Sequence, residues 1–169
     1  LKVGVVEADG SHIAFVKQGT EYEANNGSGD RVSQQGTDWT LRRRDEVMVF
    51  NSAGRLQWRE FEDGTWLQYT HDARGRLLAI THSTGRQVTL QYALPADDTV
   101  ISSLSISGAV VVSYLYDSNG QLVSASYPDR GTRTYHYEDS RFPQHLTGIT
   151  AEDAQRFSWF GYDEKGRVT

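Results

Sequence analysis

Apolar and polar residues alternate along most of this chain with a period of two. In residues 88–92 and 110–116 every second side chain is aliphatic or aromatic, which is the pattern of a strand with one buried face. No window long enough for a helix combines an apolar stripe of helical period with helix caps. The pattern therefore predicts an all-β chain with little or no helix. At ordinary strand and turn lengths we expect roughly twelve to fifteen strands.

A seven-residue motif recurs along the chain. It reads aromatic, Asp or Asn, two variable residues, Gly, Arg or Gln, and an aliphatic residue, and close versions of it stand at 50–56, 71–77, 116–122 and 162–168. Glycine supplies the positive φ that tight turns need, and an Asp or Asn before it bonds the backbone in an Asx-turn. The motif therefore predicts the turn of a β-hairpin.

A second turn signal follows the aliphatic residue of each repeat, so each repeat carries two turns. These second turns are Asp63-Gly64, Thr84-Gly85, Arg130-Gly131 and Asp153-Ala154. Strands that alternate with two turns per repeat predict a chain of antiparallel hairpins, since a fixed repeat period decides the architecture before local propensity does.

Two degenerate copies fill the longer gaps between the motifs. One is Leu104-Ser105-Ile106, after an insertion around 95–98. The other is Tyr137-Glu138-Asp139 leading to His145-Leu146, with Pro143 in its turn. Both copies have lost the motif glycine.

The repeats are predicted to fill residues 46–169 as about five to six units, the last of them cut off. Residues 1–45 are predicted to form an irregular β lead-in of hairpins, with a longer loop near residue 28. The predicted framework positions of the repeats are Phe50, Gly54, Arg55, Leu56, Asp72, Gly75, Arg76, Leu77, Tyr116, Asp117, Gly120, Leu122, Tyr137, Leu146, Tyr162, Asp163, Gly166 and Arg167.

The motif resembles the YD repeat of the Rhs family, which reads approximately Tyr-Asp-x-x-Gly-Arg-Leu, then a strand, an Asp-Gly turn and a Tyr-x-Tyr strand. The best copy runs from 116–122 to Tyr135-His136-Tyr137, and the resemblance covers about 46 to 169. Gln121 in place of Arg and His71 in place of Tyr depart from the pattern.

The resemblance implies an antiparallel β-hairpin repeat that continues as one curved or spiralling sheet, a segment of a YD-repeat shell. Such shells occur in bacterial polymorphic toxins, in toxin-complex subunits and in animal teneurins. In the bacterial members the shell encloses a toxic C-terminal domain until delivery. The implied partners are the rest of the shell and an enclosed toxin domain, and the implied location is secreted or on the cell surface.

The composition excludes further classes of protein. The formal net charge of −5 weighs against a protein that binds nucleic acid by neutralising phosphates. No apolar run approaches the roughly 20 residues of a membrane-spanning helix. The absence of cysteine excludes disulfide and thiolate metal sites. Because the animal cell-surface members of the family that the motif resembles use disulfides, it also favours a bacterial origin. A start at Leu1 and an end inside a motif predict a piece of a longer polypeptide, without a visible secretion signal.

The chemistry-bearing residues favour architecture over catalysis. Each motif Asp is explained by an Asx-turn, and the five histidines form no HExxH or other close ligand pattern. We therefore predict no enzyme, metal site or cofactor. Arg55, Arg76 and Arg167 are expected to reach carboxylates on adjacent strands or to lie on aromatic faces. The run 42–44, followed at once by Asp45-Glu46, predicts a solvated turn that neutralises itself.

Two other functions remain open beside the scaffold. The recurring Tyr and Trp side chains could bind carbohydrate at a cell surface, although a structural ladder of aromatics in register between hairpins is favoured over a sugar site. An enzyme ranks third, and a pocket that brings a His and an acid within hydrogen-bond reach would revive it. Unpaired strands at the ends of a sheet also predict self-association through those edges.

Overall fold

The computed structural model describes residues 2–93 and 100–169, and the part of the chain that it describes contains strands but no helix. The insertion predicted around 95–98 lies outside the described residues. Sixteen strands occur in the described ranges, more than the twelve to fifteen predicted, because β3, β15 and β16 are only three or four residues long. The strands are β1 (Lys2–Val6), β2 (His12–Gln18), β3 (Glu21–Ala24), β4 (Arg31–Gln35), β5 (Asp38–Arg42), β6 (Glu46–Phe50), β7 (Leu56–Phe61), β8 (Trp66–His71), β9 (Leu77–His82), β10 (Gln87–Tyr92), β11 (Ile101–Ile106), β12 (Ala109–Tyr116), β13 (Leu122–Tyr127), β14 (Gly131–His136), β15 (Gly148–Thr150) and β16 (Arg156–Trp159).

The strands form one antiparallel sheet in which the order in space is the order in the chain. The all-β hairpin fold predicted from the alternation is therefore confirmed. The chain divides into two compact units, residues 1–87 and 88–169. Within residues 2–93 and 100–169, no helix is long and apolar enough to cross a membrane.

The first unit contains a hydrophobic core, and most of its buried residues lie in the segment expected to be an irregular lead-in. Phe15 is fully buried and Leu41 is 1% exposed. Both belong to a buried cluster whose members lie on strands β2 to β6, and side chains of β1 pack against it. The other buried members of the cluster are Tyr22, Ala24, Val32 and Met48. Burial of this kind stabilises a fold by about 25 cal/mol per Å² of apolar surface.

Ion pairs join three hairpins beside this core. The side chain of Arg43 is 19% exposed and pairs with Glu7, Asp30 and Glu46. Glu46 also accepts a hydrogen bond from Arg59 on β7, at 2.5 Å. The Arg43–Glu46 pair confirms the predicted local neutralisation. The predicted solvated turn is wrong for Arg43, because its side chain is mostly buried and two further partners come from turns far away in the sequence.

In the second unit the two faces of the sheet differ in chemistry. Residues that pair directly across antiparallel strands share a face. One face carries the hydroxyl pairs Ser113↔Ser126, Ser126↔Thr132 and Thr134↔Thr150. The opposite face carries the apolar and aromatic pairs Tyr114↔Ala125, Tyr116↔Leu122 and Tyr135↔Ile149. The period of two read from the sequence thus becomes two distinct surfaces.

Candidate functional site

The motif turns share one hydrogen-bond pattern, shown here for 71–77. The carboxylate Oδ1 of Asp72 accepts from the backbone N–H groups of Arg74 and Arg76, both at 2.9 Å. The Asp72 N–H donates to the Arg76 carbonyl at 3.0 Å, and the Gly75 N–H donates to the Asp72 carbonyl at 2.9 Å. The predicted Asx-turn is therefore confirmed at this motif. The same four bonds recur around Asn51, Asp117 and Asp163.

The motif glycines adopt the conformation that the turn requires. Gly54, Gly75, Gly120 and Gly166 have φ values of 74°, 84°, 78° and 73°. An L-residue avoids this region because its Cβ approaches the following carbonyl oxygen. The glycine and the Asx residue together therefore explain why these motifs end one strand and start the next.

Two motif arginines bind the aspartate of their own turn. Arg76 Nε lies 2.7 Å from Asp72 Oδ2, and Arg167 Nε lies 2.7 Å from Asp163 Oδ2. Asp72 directly follows β8 and Arg76 directly precedes the adjacent strand β9, so the expected contact with a carboxylate across adjacent strands is made within one turn. The cause is the spacing of four residues, which places both groups at the mouth of the same turn.

These contacts favour the ionised form of the motif carboxylates. Backbone N–H donation from Arg76, followed by the side chain of Arg76, holds the pKa of Asp72 below its usual value, although burial acts in the opposite direction. Arg167 lowers the pKa of Asp163 through the same backbone and side-chain bonds. A lowered pKa adds stability above the unfolded-state value, and that stability is lost as the pH falls through the folded-state pKa.

The motif tyrosines connect each repeat to the one before it. The hydroxyl of Tyr137 donates to the carbonyl of Leu122 at 3.1 Å, and that of Tyr162 donates to the carbonyl of Leu146 at 2.6 Å. Leu122 and Leu146 are the aliphatic residues of the preceding motifs. The ladder of stacked motif aromatics expected from the sequence is wrong for Tyr137, which has no ring partner among the described residues, whereas Tyr162 packs against His145.

The pairing of strands β10 and β11 shows which residue holds the aliphatic position of the first degenerate copy. In the regular motifs the aromatic residue pairs with the aliphatic one directly after a register shift, as in Tyr116↔Leu122. Tyr92 pairs with Ile101 after the same kind of shift, and the Tyr116 hydroxyl donates to the Ile101 carbonyl at 3.0 Å. The aliphatic position is therefore Ile101. The assignment to Leu104-Ser105-Ile106 is wrong, because those residues continue strand β11.

The second turns also form where the sequence predicts them. Gly64, Gly85 and Gly131 have positive φ, and Ala154 adopts φ 64° without being glycine. A further turn at Ser107-Gly108 has φ values of 48° and 89° and was missed by the sequence analysis. The dipeptide Ser-Gly between two apolar strands is the signal that could have identified it.

A polar cleft of about 590 Å³ lies beside the motif 50–56, and we call it the Trp58 cleft. It is defined by Val49, Asn51, Arg55, Gln57, Trp58, Gln68, Tyr69, Thr70, His71 and Asp72. Trp58 stacks on Trp66 with ring centroids 4.4 Å apart. Amide, hydroxyl and charged groups beside an aromatic ring are the kind of lining that orients a polar ligand.

A histidine and a carboxylate approach each other at His136 and Glu138. His136 Nδ1 lies 3.8 Å from Glu138 Oε1, which is beyond hydrogen-bond range. His136 Nε2 lies 2.7 Å from the hydroxyl of Thr150. Both oxygens of Glu138 accept from Arg156, at 3.0 and 2.8 Å, and this bond is the main reason that the pKa of Glu138 lies below its usual value. Among the described residues, His136 therefore has no acid partner within hydrogen-bond reach.

The whole chain resembles solved toxin-complex structures in fold. It matches a chain in the Photorhabdus luminescens Tc holotoxin pore structure, which carries the TccC3 D651A mutation, and chains in TcdB2-TccC3 structures with and without Cdc42. Each match has a TM-score of 0.55 at 15% identity and covers 99% of this chain. Toxin-complex subunits were among the relatives that the motif implied, and the resemblance in fold is confirmed.

One curated relative matches in sequence. The double-stranded DNA deaminase toxin A of Burkholderia cenocepacia (strain H111) is 31% identical over 108 residues, which is 57% of this chain. No family model matches the sequence. The chain spans 7% of the length of this relative and 10% of the solved chains, so the activities in their names belong to those larger proteins.

Proposed function

We propose that this chain is a non-catalytic segment of an Rhs-type repeat shell. The shell encloses and protects a C-terminal toxin domain, which is delivered outside the producing cell to competing or host cells. The observation that carries the proposal is the tie between repeats, in which a motif tyrosine donates to the carbonyl of the preceding aliphatic residue. The fold likeness to toxin-complex structures supports it.

The hydrogen bonds of the carboxylates favour a structural role over a catalytic one. The carboxylates of Asp72 and Asp163 are occupied by backbone N–H groups and arginines of their own turns. Glu138 is held by Arg156 rather than by His136. Groups that are already hydrogen-bonded in this way stabilise turns, and a general base needs a free oxygen within reach of the proton it removes.

Enclosure is testable on the full polypeptide that contains this segment. We expect the region that follows the repeats to resist trypsin in the full polypeptide and to be cut rapidly when it is expressed alone. The measurement is a digestion time course followed by intact-mass analysis of the C-terminal region. Equal cleavage rates in the two forms would refute enclosure.

A matched pair of variants tests the role of the repeat ties. Tyr116→Phe combined with Tyr137→Phe removes two hydroxyl donors to the preceding repeats and keeps both rings. Tyr114→Phe is the control, since its hydroxyl makes no hydrogen bond to a described residue. The double variant should shorten the protected lifetime of the C-terminal region, and the control should not. Equal protection in both variants would show that these bonds do not hold the wall together.

A further inference from the structure

Four glycines of this chain directly follow an asparagine or an aspartate. Because glycine has no side chain, its backbone nitrogen can approach the side-chain carbonyl of the preceding residue with little steric hindrance. Whether that nitrogen is available to react depends on the hydrogen bond that its N–H makes. The four dipeptides are Asp9-Gly10, Asn26-Gly27, Asp63-Gly64 and Asn119-Gly120.

Three of these glycines are held in closed turns. The N–H of each donates to the carbonyl oxygen three residues earlier, at distances between 2.9 and 3.1 Å, and the three are Gly10, Gly64 and Gly120. A bonded N–H must give up its hydrogen bond before the nitrogen can lose its proton and attack a carbon. Gly27 differs from them, because its N–H makes no hydrogen bond to a described residue.

The surroundings of Asn26 favour an attack by this nitrogen. Asn26 and Gly27 lie in the exposed loop between β3 and β4, and a Cβ built on Gly27 would meet nothing within 4 Å. Asn26 Oδ1 accepts a hydrogen bond from the N–H of Ser28 at 3.1 Å. A donor at this oxygen stabilises the negative charge that develops on it when a nucleophile adds to the amide carbon.

We propose that Asn26 is a site of spontaneous deamidation. The nitrogen of Gly27 loses its proton and forms a bond to Asn26 Cγ, while the bond from Cγ to Nδ2 breaks and ammonia leaves with that proton. The product is a succinimide ring. Water then adds to either carbonyl of the ring and opens it, which leaves an aspartate or an isoaspartate at position 26. Water is the only co-reactant, and the reaction does not depend on the proposed shell function.

The modification alters a hairpin that belongs to the buried core. The N–H of Ala24 donates to the carbonyl of Asp30 at 3.0 Å across the loop, and Ala24 is a buried member of the core cluster. An isoaspartate adds a methylene group to the main chain between these two residues. Either product also adds a negative charge to the loop, in which Asp30 pairs with Arg43 at 3.4 Å. We therefore expect the deamidated chain to unfold at a lower temperature.

Peptide mass spectrometry of the folded chain, sampled during incubation at pH 8, tests the proposal. Trypsin places Asn26 in peptide 18–31 and Asn119 in peptide 87–130. Asn119 is the matched comparison, since it is also exposed and precedes a glycine, but the N–H of Gly120 is bonded. Conversion of amide to acid should be about fivefold or more faster at Asn26, because no hydrogen bond has to break first.

The urea-denatured chain is the control for local sequence. Without folded turns both asparagines precede an unbonded glycine nitrogen, so they should convert at similar rates. The proposal is overturned if the two rates are also equal in the folded chain, or if Asn119 converts faster there. It is equally overturned if Asn26 converts in urea but not in the folded chain.

The variant Asn26→Gln assigns the reacting residue, because Asn25 lies in the same tryptic peptide. The longer glutamine side chain must close a larger ring, so peptide 18–31 should keep its mass after incubation. A continued gain in mass would place the reaction at Asn25 and contradict the proposal. Circular dichroism before incubation checks that the variant is folded.

Thermal unfolding of the incubated chains tests the effect on the hairpin. The native chain should unfold at a lower temperature after incubation than before it, whereas Asn26→Gln should be unchanged. An equal decrease in both chains would show that deamidation at Asn26 does not weaken the hairpin.

Discussion

Strands β1 to β6 and strands β7 to β16 are both antiparallel hairpins, yet they are stabilised differently. The first group buries a cluster that includes Phe15 and Leu41. In the second group the buried hydrophobic side chains among the described residues are small, namely Ala79, Val112 and Ala125. The later hairpins rely instead on turn hydrogen bonds and on tyrosine-to-carbonyl ties. A sheet can thus continue without a growing core if every repeat bonds to its neighbour.

The motif turns themselves do not differ between the two groups. Asn51 closes the turn after β6, and Asp117 closes the turn after β12, with the same backbone bonds. The turn chemistry is therefore common to both groups, and what differs is the apolar surface each hairpin buries. We expect substitutions in the core to act through packing and substitutions in the repeats to act through backbone geometry.

The largest effect should come from the core. Phe15→Ala removes a fully buried ring and should lower the free energy of unfolding by about 3–5 kcal/mol through lost burial and a cavity. Urea denaturation followed by tryptophan fluorescence measures the loss. Leu115→Ala in the repeats is the control, because Leu115 is 61% exposed, and it should stay within about 0.5 kcal/mol of the native chain. Equal losses would remove the distinction between the two groups.

A glycine pair tests the backbone geometry of the repeats. Gly131 and Gly85 both occupy second turns, with φ 98° and 84°. Alanine at either position should cost about 1–2 kcal/mol of left-handed strain. At Gly131 the new Cβ would also lie 2.6 Å from the carbonyl oxygen of Glu152, whereas nothing lies within 4 Å at Gly85.

Gly131→Ala should therefore lose about 1–3 kcal/mol more than Gly85→Ala, because the backbone of the neighbouring hairpin must move. Thermal unfolding followed by circular dichroism compares the two variants directly. Equal losses would mean that the neighbouring hairpin moves aside at no cost. That result would contradict the picture of repeats held together by tyrosine-to-carbonyl hydrogen bonds.

The smallest effect concerns a single tie. Tyr137→Phe removes the hydroxyl bond to the Leu122 carbonyl and should cost about 0.5–1.5 kcal/mol at neutral pH. Burial raises the pKa of Tyr137 above its usual value of 10.0, with the charges of Asp117 and Tyr135 adding to the effect. The stability that this shift contributes is full below the unfolded pKa and is lost as the pH rises through the folded pKa.

Urea midpoints measured from pH 8 to pH 12 test both parts of this prediction. Tyr137→Phe should lose less stability than the native chain as the pH rises. A native curve that matches that of Tyr137→Phe throughout would contradict the assigned tie.

Local signals in the sequence predicted the turns well. The Asp-x-x-Gly spacing around Asp72 and Asp163 predicted the Asx-turns, since both the bonds and the positive φ arise within five consecutive residues. The register of the degenerate copy was not predictable in this way. Ile101 takes the aliphatic position because Tyr92 and Tyr116 contact it across the sheet.

The sequence alone determined that this chain is a series of antiparallel hairpins, because alternation and turn chemistry act over a few neighbouring residues. Only the tertiary structure decided which groups meet over long distances. It buried Phe15 and Leu41 in one core, brought Arg43 to Glu7 and Asp30, and seated Arg55 on Gly75. Such contacts depend on how successive hairpins align, and no local pattern encodes that alignment.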